Sequence, residues 1–274
     1  MEISLAFSPC PNDTFIFDAL VHQKIDTEGL EFKVFLEDVE TLNEHSLQKK
    51  HLITKISYGV YPAVADEYKI LNSGSALGRG VGPLLVRNET DKLNTIENVM
   101  VALPGINTTA HFLFSHAFPQ CVQKQFMRYD AIAPFVQDNK GWGVIIHENR
   151  FTYEQIGLVK IVDLGQFWEE RTGLPIPLGG IVIDRGIDVS LQRSIDKLIA
   201  NSIAYAYEQY PQLSEFIHCH AQEMSEEVMR QHIDLYVNEY SRNLGIDGRS
   251  AVLAMLNHLD PAIRKDIFIE GKDD

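Results

Sequence analysis

The alternation of strand-like and helix-like segments in the N-terminal part of the chain constrains the fold more than any other feature. Ile3 to Phe7 reads as a strand, Asp13 to His22 as a helix, Leu30 to Leu36 as a strand, Val39 to Lys49 as a helix and Leu52 to Ile56 as a strand. Parallel strands need crossover helices, so this rhythm predicts an α/β fold with a mostly parallel sheet and helices on both faces. Leu71 to Pro83 breaks the rhythm: Asn72, Gly74, Gly78, Gly80, Gly82 and Pro83 crowd into one loop-like or extended stretch before Leu84-Leu85-Val86. A second block starts with a strand at Val99 to Leu103. It continues with a helix from Thr109 through Phe118, a strand-like Gln125 to Tyr129, a helix over Ala131 to Gln137, the strand ahead of His147, and Leu158 to Val162. Ile176 to Ile183 then reads as a strand re-entering the first block. From Ser190 the pattern is helical, with Leu191, Ile195, Leu198, Ile199 and Ile203 on one face and similar stretches near Met224 to Val237 and Arg249 to Leu259. No repeat or flexible linker separates the blocks. The expected organisation is therefore two lobes with a ligand cleft between them, residues 1–98 with 178–274 forming one and residues 99–177 the other.

The balance of 24 basic against 38 acidic side chains, a formal net charge of −14, excludes a nucleic-acid surface, which needs concentrated Lys and Arg. A small-molecule ligand is the expected partner, with no nucleic acid and no membrane. Met1 to Ser8 has neither a basic n-region nor a long apolar run, so the expected location is cytoplasmic. Cys10, Cys121 and Cys219 are odd in number and widely spaced, which suits reduced thiols and gives no zinc pattern.

His147 follows the apolar run Gly143-Val144-Ile145-Ile146 and should emerge where a buried strand ends, the place where open α/β sheets bind ligands. An imidazole titrates near neutrality, so His147 is either a general base or a histidine that caps its strand through a backbone contact. Leu103 to His111 reads as strand, turn and hydroxyl-rich helix start. Thr108, Thr109 and Ala110 there would either receive an anion on unpaired N–H groups and the helix dipole, or simply form a threonine N-cap. Lys55, near the end of an interior strand with Ile56 and Ser57, must be a salt-bridge partner or an anion ligand, because an unpaired buried charge is costly. The glycines at 78, 80 and 82 precede a strand, not a helix, and so do not form a dinucleotide loop. His147-Glu148 lacks the second histidine of a zinc-protease helix, since position 151 is Phe. His218-Cys219-His220 falls in a helical region where adjacent side chains diverge, and its histidines are expected to face solvent. No metal site is expected.

Ser8 to Phe15, Leu36 to Asn43, Ala76 to Pro83 and Ile146 to Tyr153 together resemble the 1,4-dihydroxy-6-naphthoate synthases of the menaquinone pathway, and the resemblance runs from Leu5 to about Val237. It implies a fold similar to type II periplasmic binding proteins, with two lobes that close on an anionic ligand. It also implies a lyase that cleaves cyclic dehypoxanthinyl futalosine to 1,4-dihydroxy-6-naphthoate and a five-carbon fragment, without a cofactor. The resemblance assigns the general base to His147 and substrate contacts to Lys55, Ile56 and Ser57 and to the helix start at Thr108, Thr109 and Ala110. Two other readings stand beside it: the related chorismate dehydratase of the same pathway, and a non-catalytic solute-binding protein of the same fold.

Overall fold

In the computed structural model, which describes residues 2–93, 95–221 and 225–270, the chain divides into two units, Met1–Gly78 with Pro177–Asp274 and Arg79–Ile176. The first unit opens with β1 (Glu2–Phe7), α1 (Pro11–Val21), β2 (Glu31–Leu36), α2 (Val39–Leu47), β3 (Ile53–Ser57), α3 (Tyr61–Val64), β4 (Tyr68–Ile70) and β5 (Ala76–Gly78). The second contains β6 (Leu84–Asn88), β7 (Val101–Leu103), α4 (Thr109–Ala117), β8 (Lys124–Phe126), α5 (Ile132–Gln137), β9 (Trp142–Ile145), α6 (Asn149–Thr152), β10 (Leu158–Asp163) and α7 (Leu164–Thr172). The chain returns to the first unit through β11 (Ile176–Asp184). It ends with α8 (Val189–Gln209), α9 (Glu215–His220), α10 (Glu226–Tyr236), α11 (Glu239–Arg242) and α12 (Gly245–Leu259). Met224, at the head of one expected helix, lies outside the described residues.

The first sheet runs β2-β1-β3-β11-β4, with β5 also on β11. Strands β1, β2 and β3 are parallel, as their crossover helices require, and β11 is antiparallel to β3 and β4. The apolar stripe of α8 drives its packing. Ile195, Leu198, Ile199 and Ile203 are essentially inaccessible and join Ile3, Leu5, Phe7, Phe17 and Ile181 in one core. Each such aliphatic side chain contributes roughly 1.5–3 kcal/mol relative to exposure.

The second sheet runs β10-β6-β9-β7-β8, parallel across β9, β7 and β8 and antiparallel at β6. Its core gathers Leu84, Val86, Ala102, Ile132, Val136, Ile145 and Leu158. The passage into this unit falls at Arg79, not near residue 99, because β6 pairs with β9 and β10. The glycine-rich stretch therefore lies at the passage itself. Gly82 and Gly165 meet backbone to backbone, and a Cβ on either would overlap the other. Arg150 holds the same stretch, donating to the carbonyls of Gly82 and Gly80 (2.7 Å to the latter) and pairing with Asp163 at 2.8 Å. Among the described residues no helix is long and apolar enough to cross a membrane.

Candidate active site residues in each unit

In the first unit the parallel strands β1, β2 and β3 end side by side, with Phe7 opposite Leu36 and Ala6 opposite Thr54. The C-terminal ends of these strands and the turns leaving them therefore collect at one edge, bringing together Ser8 to Asp13, Asp38, and Ser57. Lys55 is nine-tenths buried and its Nζ donates to Asp13 Oδ1 at 2.5 Å. Ser8 donates to Asp13 Oδ2 from both its hydroxyl (2.7 Å) and its backbone N–H (3.2 Å), and Asn12 Nδ2 donates to Oδ1 at 2.8 Å. Of the two roles open to Lys55, the salt bridge is thus formed. Asp38 caps α2, accepting from the N–H groups of Glu40 and Thr41 at 3.0 and 3.3 Å. Asn43, fully buried on α2, accepts the Ser57 N–H at 2.8 Å and donates to Ser57 Oγ at 3.1 Å, leaving that hydroxyl its own proton to donate. Ile56 is wholly buried, and its backbone pairs with Gly180 of β11.

In the second unit the parallel strands again align their C-terminal ends, Leu103 opposite Phe126 and Ala102 opposite Gly143. This edge carries the start of α4 after β7, Tyr129 after β8, and His147 after β9. Thr108 is the N-cap of α4: its Oγ1 accepts the His111 N–H at 3.2 Å and donates to the Gly105 carbonyl at 2.9 Å. Thr109 and Ala110 occupy the first turn and are 3% and 4% exposed. First-turn N–H groups lack an intrahelical acceptor, and the dipole there favours a carboxylate. The threonine cap is therefore real, and it coexists with an anion-favouring helix start.

His147 follows β9 in a turn, half-buried, with a left-handed backbone at φ +56°. Non-glycine residues adopt that conformation rarely, and it turns the chain sharply away from the strand into α6. Its ring meets the Tyr129 ring edge-on, centroids 4.8 Å apart at 71°. Tyr129 is 5% exposed and sits in a 3-10 turn over Tyr129–Ala131, so the strand expected over Gln125 to Tyr129 stops at Phe126. Nearby, His111 Nδ1 lies 2.8 Å from the Ile106 carbonyl, which only accepts, so that nitrogen carries the proton. Burial lowers the His111 pKa from its ordinary value, against the opposing pull of the Ile106 carbonyl.

Sequence reasoning missed Asp13, Asn12, Ser8, Asn43 and Tyr129. For Asp13 a signal existed: an aspartate in the first turn of a helix, followed by the apolar Phe15, Ile16 and Phe17, is set for burial and needs a cation. His218 and His220 lie on α9, both half-exposed, His218 3.6 Å from Glu226 and His220 edge-on to Phe216. No group of three or more His, Cys, Asp and Glu side chains among the described residues is arranged to hold a metal.

The two sheets with their helix-covered strand ends define a periplasmic-binding-protein-like fold. The alkanesulfonate-binding protein of Xanthomonas axonopodis superposes with a TM-score of 0.70 over 98% of this chain and 96% of that one, at only 8% identity. A protein of Archaeoglobus fulgidus does so with a TM-score of 0.88 at 31% identity, over 95% and 97% of the two chains. The menaquinone biosynthesis family profile matches residues 3–260, and the chain belongs to that family. Within it the chain is similar to the 1,4-dihydroxy-6-naphthoate synthase of Thermus thermophilus, 47% identical over 251 residues that make up 91% of each protein.

Proposed function

We propose that this chain is a lyase that converts cyclic dehypoxanthinyl futalosine to 1,4-dihydroxy-6-naphthoate, releasing the sugar-derived fragment, with His147 as general base. The observation that carries this reading is the 47% identity to the Thermus enzyme of that name. The left-handed His147 at the end of β9 adds a group suited to the chemistry. In this reading the substrate carboxylate rests against the start of α4 at Thr108, Thr109 and Ala110, where backbone N–H groups and the helix dipole favour an anion. Lys55, Ile56 and Ser57 orient the remainder, Ser57 through the hydroxyl proton that Asn43 leaves unused. His147 withdraws a proton from the sugar-derived part, the electron pair left there forms a carbonyl as the carbon–carbon bond to the ring breaks, the pair of that bond passes into the ring as it becomes aromatic, and the imidazolium returns its proton to the product. Aromatisation supplies the driving force, so the reaction calls for no redox cofactor. An acidic protein can still bind an anionic substrate, because local dipoles set the field at the site.

The test is to incubate the purified protein with cyclic dehypoxanthinyl futalosine and to follow 1,4-dihydroxy-6-naphthoate by mass spectrometry. Formation of the naphthoate supports the reading. Dehydration of chorismate instead would assign the sister activity of the pathway. Tight binding of the futalosine derivative without turnover would make the chain a binding protein, the role named for its Xanthomonas fold neighbour.

A further inference from the structure

The Ser8-Pro9-Cys10-Pro11-Asn12-Asp13 segment has no role in the proposed reaction, yet it contains the most heavily bonded carboxylate at the first unit's edge. Asp13 is 1% exposed and accepts four hydrogen bonds: from Lys55 Nζ and Asn12 Nδ2 on one oxygen, and from the Ser8 hydroxyl and N–H on the other. A carboxylate offers about four lone-pair sites, so this one has none left to accept a proton or a substrate hydroxyl. The donors around it are not exhausted. An ammonium has three protons and Lys55 spends one on Asp13, while the Ser8 oxygen retains acceptor capacity.

We infer that Asp13 is a positioning residue for the reaction proposed above: it holds Lys55 and Ser8 at fixed places so that their remaining hydrogen-bonding capacity faces the substrate, and it takes no part in proton transfer. The long reach of a lysine makes such a clamp necessary. An unpaired ammonium on four methylenes samples many rotamers, and one buried beside β3 without a counter-ion is also costly to keep charged. Asp13 removes both difficulties at once, across 42 residues of sequence.

The inference rests on the proposed synthase reaction, and a double-mutant cycle separates the two. Steady-state kinetics with cyclic dehypoxanthinyl futalosine are measured for the wild type, Asp13→Asn, Lys55→Met and the Asp13→Asn/Lys55→Met pair. Asp13→Asn should raise KM about tenfold or more while kcat changes by less than about threefold, the mark of lost binding without lost chemistry. The double variant should lose less than the two single losses combined, because part of what Asp13 does runs through Lys55 and the rest through Ser8. It also carries no unpaired buried charge, so it remains measurable if Asp13→Asn alone unfolds. A fall in kcat with KM intact, or a changed acid limb of the pH profile, would place Asp13 in the chemistry and overturn the inference. Strictly additive losses, or a double variant with wild-type KM, would overturn it equally, the latter by making the pair internal packing only. A wild-type chain inert towards the substrate overturns the functional reading, and the substrate role of the clamp with it.

Discussion

His147 lies at φ +56° at the end of a buried strand, so a substitution there disturbs backbone and chemistry together unless it is chosen with care. Asn is the suitable replacement, because it tolerates the left-handed region better than other non-glycine residues and keeps a polar side chain. His147→Asn should leave the melting temperature close to wild type and lower kcat by about two to four orders of magnitude, the usual contribution of a positioned acid or base. Near-normal turnover in that variant would assign His147 to orienting the substrate. A second histidine makes stability depend on pH. His51 is 7% exposed, faces His45 at 3.3 Å and the Phe35 ring, and its pKa is held below the ordinary 6.5 by burial first and then by His45 and Lys50. The folded chain therefore binds fewer protons than the unfolded chain below the ordinary histidine pKa. The stabilisation from a neutral His51 is complete above that value and diminishes as pH falls through it towards the lowered folded pKa. Thermal melts at pH 7.5 and 5.5 should show a drop for the wild type and a smaller one for His51→Gln. Equal drops would remove His51 as a cause.

Among the elements, α4 combines two functions that one substitution can separate. Thr108→Ala removes the cap on the His111 N–H and the bond to the Gly105 carbonyl, and should cost about 1 kcal/mol of stability. If the helix start also receives the substrate carboxylate, affinity for 1,4-dihydroxy-6-naphthoate should fall as well. A calorimetric titration that finds unchanged affinity in the destabilised variant would reduce Thr108 to its capping role. The elements were legible where local periodicity decides them. The alternation in β1 to β3, the α8 stripe at Ile195, Leu198, Ile199 and Ile203, and the emergence of His147 just past β9 all follow from spacing along the chain. α7 was not legible: Leu164-Gly165-Gln166-Phe167-Trp168 has no clear stripe, and its helix depends on Asp163 capping Gly165 and Gln166 and on Gly165 meeting Gly82. The Asp13–Lys55 pair and the contact of Tyr129 with His147 were hidden for a related reason. Each joins residues from different strand ends, and only the sheet order brings them together.

For the whole molecule, the αβ alternation was enough to place two blocks in sequence but not to fix where one passes into the other. Residues 79–98 carry little patterning of their own, and β6 belongs to the second sheet because β9 and β10 flank it. Hydrogen exchange tests the proposed substrate contacts group by group. With saturating 1,4-dihydroxy-6-naphthoate, protection should rise around Thr109 and His147 in one unit and around Ser57 in the other. Protection confined to the second unit would remove Lys55, Ile56 and Ser57 from the substrate contacts.

The position of β11 between β3 and β4 has a consequence for the order in which the protein acquires structure during synthesis. Strands β1 to β3 leave the ribosome first, but their core lacks Ile181, Ile183 and the whole of α8 until the second unit has been made. The second unit is continuous from Arg79 to Ile176, and all five strands of its sheet lie within that range. A nascent chain stalled after Ile176 should therefore protect β6 to β10 from protease while β1 to β3 are still cut. The N-terminal strands must wait, with apolar faces uncovered, for the C-terminal helices, and in that interval the chain is most dependent on chaperones.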